Sequence, residues 1–269
     1  MYPQMKKICS ILFFFSLLFA QHDSAYLAEH LLFGNPSRAE TTPAKSTNYL
    51  MVKKQYVLSY HRFNGTANWV AWHLDSSWLG EVRRSNDFRA DSTLPKHWYW
   101  VHERSYRRSG YDRGHMCPSG DRTNTQEDNS ATFLMTNIIP QAPNNNQGPW
   151  AAFEIYCREL VKQGKELYIY SGGYGSQGFI DSGRVNIPAR TWKVVLVLDA
   201  GEDDLKRVTT TTRTIAVDMP NNNFSLSKND DWRNFRTSID AIEQKTGFNF
   251  YSNLSPSVQD IIEQTTDSQ

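Results

Sequence analysis

Runs of β-forming residues are the feature that most constrains how this chain can fold. The run TANWVAWHL at 66–74 alternates so that apolar side chains fall on one face, which is typical of a strand. Asn64-Gly65 lies just before it, and this pair favours a tight hairpin turn back to the strand-like run at 55–60. Strands therefore dominate the predicted secondary structure. The other strand predictions are 131–139, 166–172, 192–199 and 214–219.

Helical patterns are fewer and lie between or after the strands. The segment 150–164 repeats apolar residues at helical intervals, with Pro149 at its start and Gly164 at its end. A shorter helix is predicted at 238–247, with Ser238 as its N-cap. Mostly consecutive strands with a few interleaved helices, no internal repeat and no long linker predict a single α+β domain.

The N-terminal segment 1–20 has the layout of a targeting sequence. Lys6 and Lys7 precede an apolar run from Ile8 to Ala20, which is short for a membrane span. We interpret 1–20 as a signal peptide, with a retained signal anchor as the alternative, and expect a secreted or periplasmic protein without stable membrane association. The rest of the chain is predicted to be a surface lead-in at 21–48, a folded domain at 49–255 and a C-terminal tail at 256–269.

The charge of the chain is nearly balanced but unevenly distributed. The formal net charge of the 269 residues is +1, so any polyanion must bind to a local patch. Between Glu81 and His115 the sequence has eight basic and five acidic residues, interleaved with Trp and Tyr. Basic and aromatic residues together suit a phosphate backbone and exposed bases, although an ordinary solvated loop has the same composition.

A single histidine lies in the polar run YDRGHMCPSG at 111–120. Histidine titrates near neutral pH, so His115 suits either general acid–base catalysis or metal binding, while a surface turn is the simpler alternative. Farther along, Trp150, Glu154 and Arg158 are spaced to share one helical face, just after three consecutive asparagines at 144–146. Glu154 and Arg158 alone would be read as a surface ion pair.

Taken together, these residues match a known pattern. Asp112-Arg113-Gly114-His115, with Asn146, Glu154 and Arg158 downstream, resembles the signature of the DNA/RNA non-specific endonucleases of the ββα-metal (His-Me) superfamily. The segment 136–140 is similar to the Asn-x-x-Pro segment of that family, and the resemblance runs from about His30 to Leu254. It implies one domain with a central antiparallel sheet flanked by helices, containing a ββα-metal motif. The similarity is strongest to the secreted bacterial nucleases.

The resemblance also implies a reaction and a cofactor. It implies hydrolysis of phosphodiester bonds in DNA and RNA, single- or double-stranded, leaving 5′-phosphate ends. His115 would be the general base that deprotonates the attacking water. Asn146 would bind one Mg²⁺ directly, with Mn²⁺ as a substitute, and Glu154 would hold the metal through water.

The remaining family positions concern the phosphate and the shape of the site. Arg84 and Arg158 would bind the phosphate and stabilise the charge that develops on it. Arg113 is expected to touch the phosphate or to brace its loop. Asn137 is expected to orient the site.

Alternatives to this interpretation involve the cysteines and the absence of catalysis. His115, Cys117 and Cys157 would suit a zinc site, although there is no Cys-x-x-Cys pair. A secreted nucleic-acid-binding protein that has lost catalysis is the second alternative. If residues 115–117 continue as a strand, alternation places His115 and Cys117 on one face, and Cys157 belongs to the apolar side of the facing helix, so we expect both thiols in one layer. Whether they form a disulfide is left open, and no sequence feature predicts an oligomeric state.

Overall fold

The computed structural model describes residues 23–269, and the predicted signal peptide at 1–20 lies outside the described residues. The strands are β1 Tyr49–Val52, β2 Val57–His61, β3 Thr66–Leu74, β4 Asp112–His115, β5 Ile138–Gln141, β6 Lys165–Tyr174, β7 Phe179–Ile180, β8 Val185–Asn186, β9 Arg190–Asp199, β10 Thr214–Pro220 and β11 Arg236–Thr237. The helices are α1 at 23–30, α2 Gln126–Ala131, α3 Pro143–Asn146, α4 Pro149–Lys162, α5 Asp204–Arg207, α6 Ile239–Thr246 and α7 Pro256–Gln264. None of the helices in 23–269 has the length and apolar character needed to cross a bilayer.

One antiparallel sheet forms the centre of the molecule. Within residues 23–269 it has seven strands in the order β1-β2-β3-β6-β9-β10-β11. β3 has the predicted bounds, and β6, β9 and β10 contain the strands predicted at 166–172, 192–199 and 214–219. The predicted hairpin joins β2 to β3 through the turn that contains Asn64-Gly65. The single α+β domain with a central antiparallel sheet is therefore confirmed.

The two faces of this sheet build two hydrophobic cores. On one face Trp72, Val195 and Val217 pack with Phe153 and Cys157 of α4. On the other face, alternate residues of the same strands pack against α6, α7 and the segment before β1. Because side chains alternate across a strand, β3 and β9 supply both cores, and helices cover the sheet on both sides.

A separate two-stranded antiparallel sheet, β4 and β5, lies beside the central sheet and carries the histidine. β4 pairs antiparallel with β5, with His115 opposite Ile138 and Asp112 opposite Gln141. The chain then passes through the single turn of α3 into α4, which begins with Pro149 at its first turn, as predicted. Two strands followed by a helix are the predicted ββα motif, and they bring the end of β4 next to the side of α4.

The strand predicted at 131–139 is wrong over most of its length. Residues 126–131 form α2, 135–137 form one 3₁₀ turn, and only Ile138 and Ile139 belong to a strand. Thr125 caps α2 by accepting a hydrogen bond from the backbone NH of Asp128. The apolar residues are buried as expected, but they are buried in turns, where apolar composition alone does not distinguish them from a strand.

Both ends of the described range 23–269 pack against the core more than the predicted lead-in and tail imply. Phe33 is fully buried and packs edge-on against Tyr168 with ring centroids 4.6 Å apart, so 21–48 is not confined to the surface. At the other end, Ile262 of α7 is buried and its carbonyl accepts a hydrogen bond from Thr214. A few apolar side chains in otherwise polar segments are sufficient to attach these segments to the core.

Candidate active site

Six of the seven site residues that the family resemblance predicts surround one open cavity. The cavity has a volume of about 400 Å³ and lies between the end of β4 and the exposed side of α4. The six are Arg84, Arg113, His115, Asn146, Glu154 and Arg158, and the rest of the wall is formed by Pro118, Ser119, Gly120, Gln147 and Ala151. The tertiary structure thus brings together side chains from four separate parts of the chain. Asn137 does not line the cavity.

His115 is held as a neutral, buried base at the edge of this cavity. Its ring contacts Phe133 edge-on at 4.8 Å and lies 5.4 Å from the ring of Phe88. Its Nε2 is buried and makes no hydrogen bond with any described residue. Burial and the guanidinium groups of Arg84 and Arg113 lower the pKa of His115 to about 3. The imidazole is therefore uncharged at neutral pH and can accept a proton.

Asn137 positions the histidine from behind. Its side-chain oxygen accepts a hydrogen bond from the NH of Cys117 at 2.9 Å, and its amide donates to the carbonyls of Cys117 and Thr132. Its own carbonyl accepts from the NH of Met116. These bonds fix the backbone immediately after His115. The orienting role of this fully buried asparagine stays a prediction.

The glycine before the histidine makes room for a second positioning group. A Cβ on Gly114 would lie 2.6 Å from the Cβ of Gln141, closer than such atoms approach in folded proteins. Gln141 donates to the side chain of Asn145 at 2.6 Å, and Asn145 donates to Thr191 and to the carbonyl of Pro220. These bonds tie the turn of α3 to the central sheet, and α3 carries Asn146.

Asn146 is oriented by the first residue of the Asp-Arg-Gly-His run. Its Nδ2 donates a hydrogen bond to Oδ2 of Asp112 at 2.9 Å, and Gln147 donates to the same oxygen at 2.7 Å. The carbonyl oxygen of the Asn146 side chain accepts no hydrogen bond from the described residues. Asp112 thus holds the amide so that its oxygen is available to a ligand. No role was predicted for Asp112 from the sequence, although its position in the Asp-Arg-Gly-His motif was a signal.

Glu154 pairs with a buried lysine that the sequence analysis did not identify. Nζ of Lys193, on β9, lies 3.4 Å from Oε1 of Glu154. The ammonium is buried and also lies 4.4 Å from the ring centroid of Trp150. Burial raises the pKa of Glu154, although Lys193 and Arg158 act against the shift. A lysine at an inward-facing position of an otherwise apolar strand was the signal for this partner.

Arg158 is fixed by a buried aspartate. Its guanidinium donates to Oδ1 of Asp121 at 2.8 Å, and the other oxygen of Asp121 accepts from the indole of Trp72 at 3.0 Å. A Cβ on Gly120 would lie 2.9 Å from the guanidinium carbon of Arg158, so this glycine leaves space for the arginine. Glu154 and Arg158 therefore each have a different partner and do not form the simple surface pair considered from their spacing.

Arg84 and Arg113 lie over the two rings that pack against His115. The guanidinium of Arg84 is 4.8 Å from the ring centroid of Phe133 and donates to the hydroxyl of Ser119 at 2.6 Å. That of Arg113 is 4.1 Å from the ring centroid of Phe88. Neither group has a carboxylate partner among residues 23–269. With Arg158 they place three guanidinium groups and one carboxylate around the cavity, a net positive charge suited to a phosphate.

The donor groups of the cavity fit a hydrated magnesium ion. A free amide oxygen on Asn146 and the carboxylate of Glu154 are oxygen ligands, and Mg²⁺ typically keeps several waters rather than a full set of protein ligands. Within the described chain, His, Asp and Glu clusters tight enough to share an ion occur elsewhere, at His73–Glu166–Asp204 and at Asp240–Glu243–Glu263. The ligands that the cavity offers, one amide oxygen and one carboxylate, therefore differ from those of a metal site built from carboxylates alone.

Cys117 and Cys157, the two cysteines within residues 23–269, do not line the cavity. Cys117 and Cys157 are free thiols, both buried in the hydrophobic core on the α4 side of the sheet, so the predicted common layer is confirmed and the disulfide is not formed. Burial raises the pKa of each thiol to about 12. In residues 23–269, the groups of side chains close enough to share a metal ion do not include His115, Cys117 or Cys157. The zinc alternative is therefore not supported.

Comparison with known proteins agrees with this geometry. Residues 34–257 match the family model described as DNA/RNA non-specific endonuclease. The chain is 53% identical to a nuclease of Nostoc sp. (strain PCC 7120 / SAG 25.82 / UTEX 2576) over 245 residues, which cover 91% of this chain and 88% of that protein. It is 31% identical to the mitochondrial nuclease EXOG of Danio rerio over 213 residues, 74% of this chain and 60% of that protein.

A solved structure shows the same fold. The crystal structure of the EndoG/EndoGI complex superposes with a TM-score of 0.72 at 24% identity, over 86% of this chain and 93% of that chain. The family match, the relatives and the ββα motif all lead to one assignment. The chain belongs to the DNA/RNA non-specific endonuclease family, whose members are nucleic-acid hydrolases.

Proposed function

We propose that this protein is an exported, Mg²⁺-dependent endonuclease that hydrolyses DNA and RNA, single- or double-stranded, to products with 5′-phosphate ends. One observation carries the proposal. A neutral histidine, three arginines, a free amide oxygen and a carboxylate surround one cavity, and the two arginines nearest the histidine have no carboxylate partner in the described chain.

In this proposal His115 deprotonates the water that attacks the phosphorus. The ring is uncharged at neutral pH because burial, Arg84 and Arg113 lower its pKa to about 3, so its unprotonated nitrogen can accept a proton. General-base catalysis of this kind contributes about 10²–10⁴ to the rate. Asn137 keeps the ring in place through the backbone of residues 116 and 117.

The arginines bind the scissile phosphate and stabilise its transition state. Arg84 and Arg113 reach the cavity from the side of His115, and Arg158 reaches it from α4. The planar guanidinium matches two phosphate oxygens at once, and the charge on those oxygens grows as the attacking water adds. Because Asp121 already neutralises Arg158 in part, Arg84 and Arg113 supply most of the uncompensated positive charge.

Asn146 would hold the metal directly, and Glu154 would hold it through water. A bound Mg²⁺ supplies charge neutralisation at the phosphate and stabilises the leaving oxygen. Manganese prefers the same oxygen ligands and is expected to substitute. Backbone-directed binding of this kind does not depend on the base or on the 2′-hydroxyl, which supports action on both DNA and RNA.

The N-terminal segment supports export. Lys6 and Lys7 followed by the apolar run from Ile8 to Ala20 are typical of a cleaved signal peptide, so the mature enzyme is proposed to be secreted or periplasmic. Mass spectrometry of the protein recovered outside the cytoplasm would test this, with a mature N-terminus near residue 21 as the expected result. An intact N-terminus would favour the retained anchor.

Cleavage assays test the enzymatic part of the proposal. Supercoiled plasmid, single-stranded DNA and RNA should all be cut with Mg²⁺ or Mn²⁺ and left intact with a chelator, and end analysis should show 5′-phosphates. His115→Ala should abolish most cleavage while substrate binding remains, and His97→Asn, an exposed histidine outside the cavity, is the matched control. Binding without metal-dependent cleavage by the wild-type protein would instead identify a catalytically inactive nucleic-acid-binding protein.

A further inference from the structure

A second open cavity continues from the active site along the protein surface. It has a volume of about 660 Å³, and it shares Arg84, Arg113 and Asn146 with the cavity around His115. The two cavities therefore share part of their walls, and we call them together the trough, with His115, Glu154 and Arg158 at one end. A space of this size exceeds what a single phosphate group needs and is in the range of sites for much larger ligands.

Two further arginines line the second cavity, which we call the extension. Arg104 lies in the 3₁₀ turn Glu103–Tyr106, and Arg107 caps the end of that turn. Because both side chains line the same cavity, the two guanidinium groups reach the same space. Both side chains are exposed, and neither has a carboxylate partner among residues 23–269.

The turn that carries these arginines is anchored to the strand opposite His115. Ser105 and Tyr106, between the two arginines, are buried. The hydroxyl of Tyr106 donates to the carbonyl of Ile138 at 3.4 Å, and Ile138 is the β5 residue paired with His115. The position of the arginines relative to the general base is therefore determined by packed structure rather than by a mobile loop.

The charges along the extension favour a polyanion. Four arginines face two carboxylates, Glu103 and Asp112, and the latter already accepts two hydrogen bonds next to Asn146. A nucleic-acid strand repeats its negative charge at every nucleotide, so a strand held at the scissile phosphate brings its neighbouring phosphates into such a trough.

We propose that the extension binds the phosphates of the substrate strand adjacent to the scissile bond, through Arg104 and Arg107, and that Glu103 weakens this binding by facing the same phosphates. This proposal rests on the proposed function of the cavity around His115. If the extension binds these phosphates, the protein should prefer substrates long enough to fill both cavities.

Charge-removing variants test the trough on a single-stranded oligonucleotide of about 20 nucleotides. The double variant Arg104→Gln/Arg107→Gln should raise KM by about tenfold or more, which is the scale expected when charge-assisted contacts are lost. Most of the decrease in kcat/KM should come from KM rather than from kcat. The slope of log KM against log salt should fall by about 0.7 for each arginine removed. Glu103→Gln should change KM in the opposite direction.

Arg108→Gln is the matched control because Arg108 follows Arg107 directly, is exposed and does not line either cavity. An equal effect of Arg108→Gln would overturn the proposal in favour of overall charge, and so would an unchanged KM in the double variant or a rise in KM with Glu103→Gln. The same changes in a His115→Ala background, followed by fluorescence anisotropy, report binding alone. Absent cleavage by the wild type would contradict the proposed function, whereas unaltered binding in this background would contradict only the trough.

Discussion

The side chain of Asn146 donates to Oδ2 of Asp112 at 2.9 Å and leaves its carbonyl oxygen without a hydrogen-bond partner in the described chain. An asparagine amide can be turned by 180° at little steric cost, so a specific acceptor is needed to decide which of its ends faces a ligand. Asp112 is that acceptor, and Gln147 holds the same oxygen from the other side.

Removing this acceptor should weaken metal binding without removing the proposed ligand. In Asp112→Ala the amide of Asn146 is free to rotate, so the Mg²⁺ concentration for half-maximal activity should rise by about tenfold, the lower end of the range for a partner of a metal ligand. Asn146→Ala should raise it further and Glu154→Ala less. Metal titration of plasmid cleavage measures all three, with Asn144→Ala as a control on the same turn. An unchanged metal requirement in Asp112→Ala and Asn146→Ala would contradict the ligand assignment.

The activity should persist in mildly acidic solution. A histidine with its ordinary pKa of 6.5 loses the basic form below that pH, whereas burial, Arg84 and Arg113 lower the pKa of His115 to about 3. The acid limb of kcat/KM at saturating Mg²⁺ should therefore lie well below pH 6, with circular dichroism at each pH as the control for folding. Burial also raises the pKa of Glu154, so only a limb near pH 6.5 that persists in Glu154→Gln would show that His115 titrates as an exposed imidazole.

A different histidine should make stability decline in alkaline solution. Burial alone would lower the pKa of His73, but the carboxylates of Glu166 and Glu29, 3.5 Å and 3.8 Å away, raise it to about 9. A raised pKa stabilises the fold fully below about pH 6.5, and the contribution is lost as the pH rises towards 9. The free energy of unfolding should fall across this window, by at most about 1.4 kcal/mol per pH unit.

Denaturant unfolding at several pH values would measure this contribution. His73→Gln should be less stable than the wild type at pH 6 and should show a flatter dependence between pH 6.5 and 9. His97→Asn, at an exposed position, should keep the wild-type slope. An unaltered slope in His73→Gln would mean that other groups cause the alkaline decline.

Arg84 should act mainly in the transition state. It has no carboxylate partner in the described chain, and its guanidinium lies over the ring of Phe133, which also contacts His115. Arg84→Ala should lower kcat by about 100-fold, as the loss of one transition-state donor does, with a smaller change in substrate affinity. Arg83→Ala removes an exposed neighbour outside the cavity and should leave kcat close to wild type. If Arg84→Ala changes only the salt dependence of binding, Arg84 positions the substrate and does not stabilise the transition state.

The thiols should be irrelevant to activity. Cys117 and Cys157 are buried, unbridged and uncharged, since burial raises the pKa of each to about 12. A reductant should therefore leave turnover and Tm unchanged, and a thiol reagent should label both cysteines only after denaturation. A loss of activity on reduction, or a mass two units lower than the free thiols require, would indicate a disulfide in the protein.

Local patterns in the sequence were sufficient where the determining forces are local. β3 runs over Thr66–Leu74 as its alternation predicts, α4 begins at Pro149, and Ser238 caps α6 by accepting from the NH of Ala241. The spacing of His115, Asn146 and later residues identified six side chains that line one cavity, and their catalytic roles stay predictions. The irregular course of 131–139 was missed, since an apolar run predicts burial but not backbone conformation.

The sequence by itself determined which groups are proposed to react, and the tertiary structure decided their burial and their partners. His115 is neutral because Phe133, Arg84 and Arg113 surround it, and Glu154 faces Lys193 because β9 passes behind α4. Lys193 and Asp121 are buried charges whose partners lie 39 and 37 residues away. Burial and pairing across such separations arise only when the central sheet, the β4–β5 pair and α4 pack together, so no local pattern encodes them.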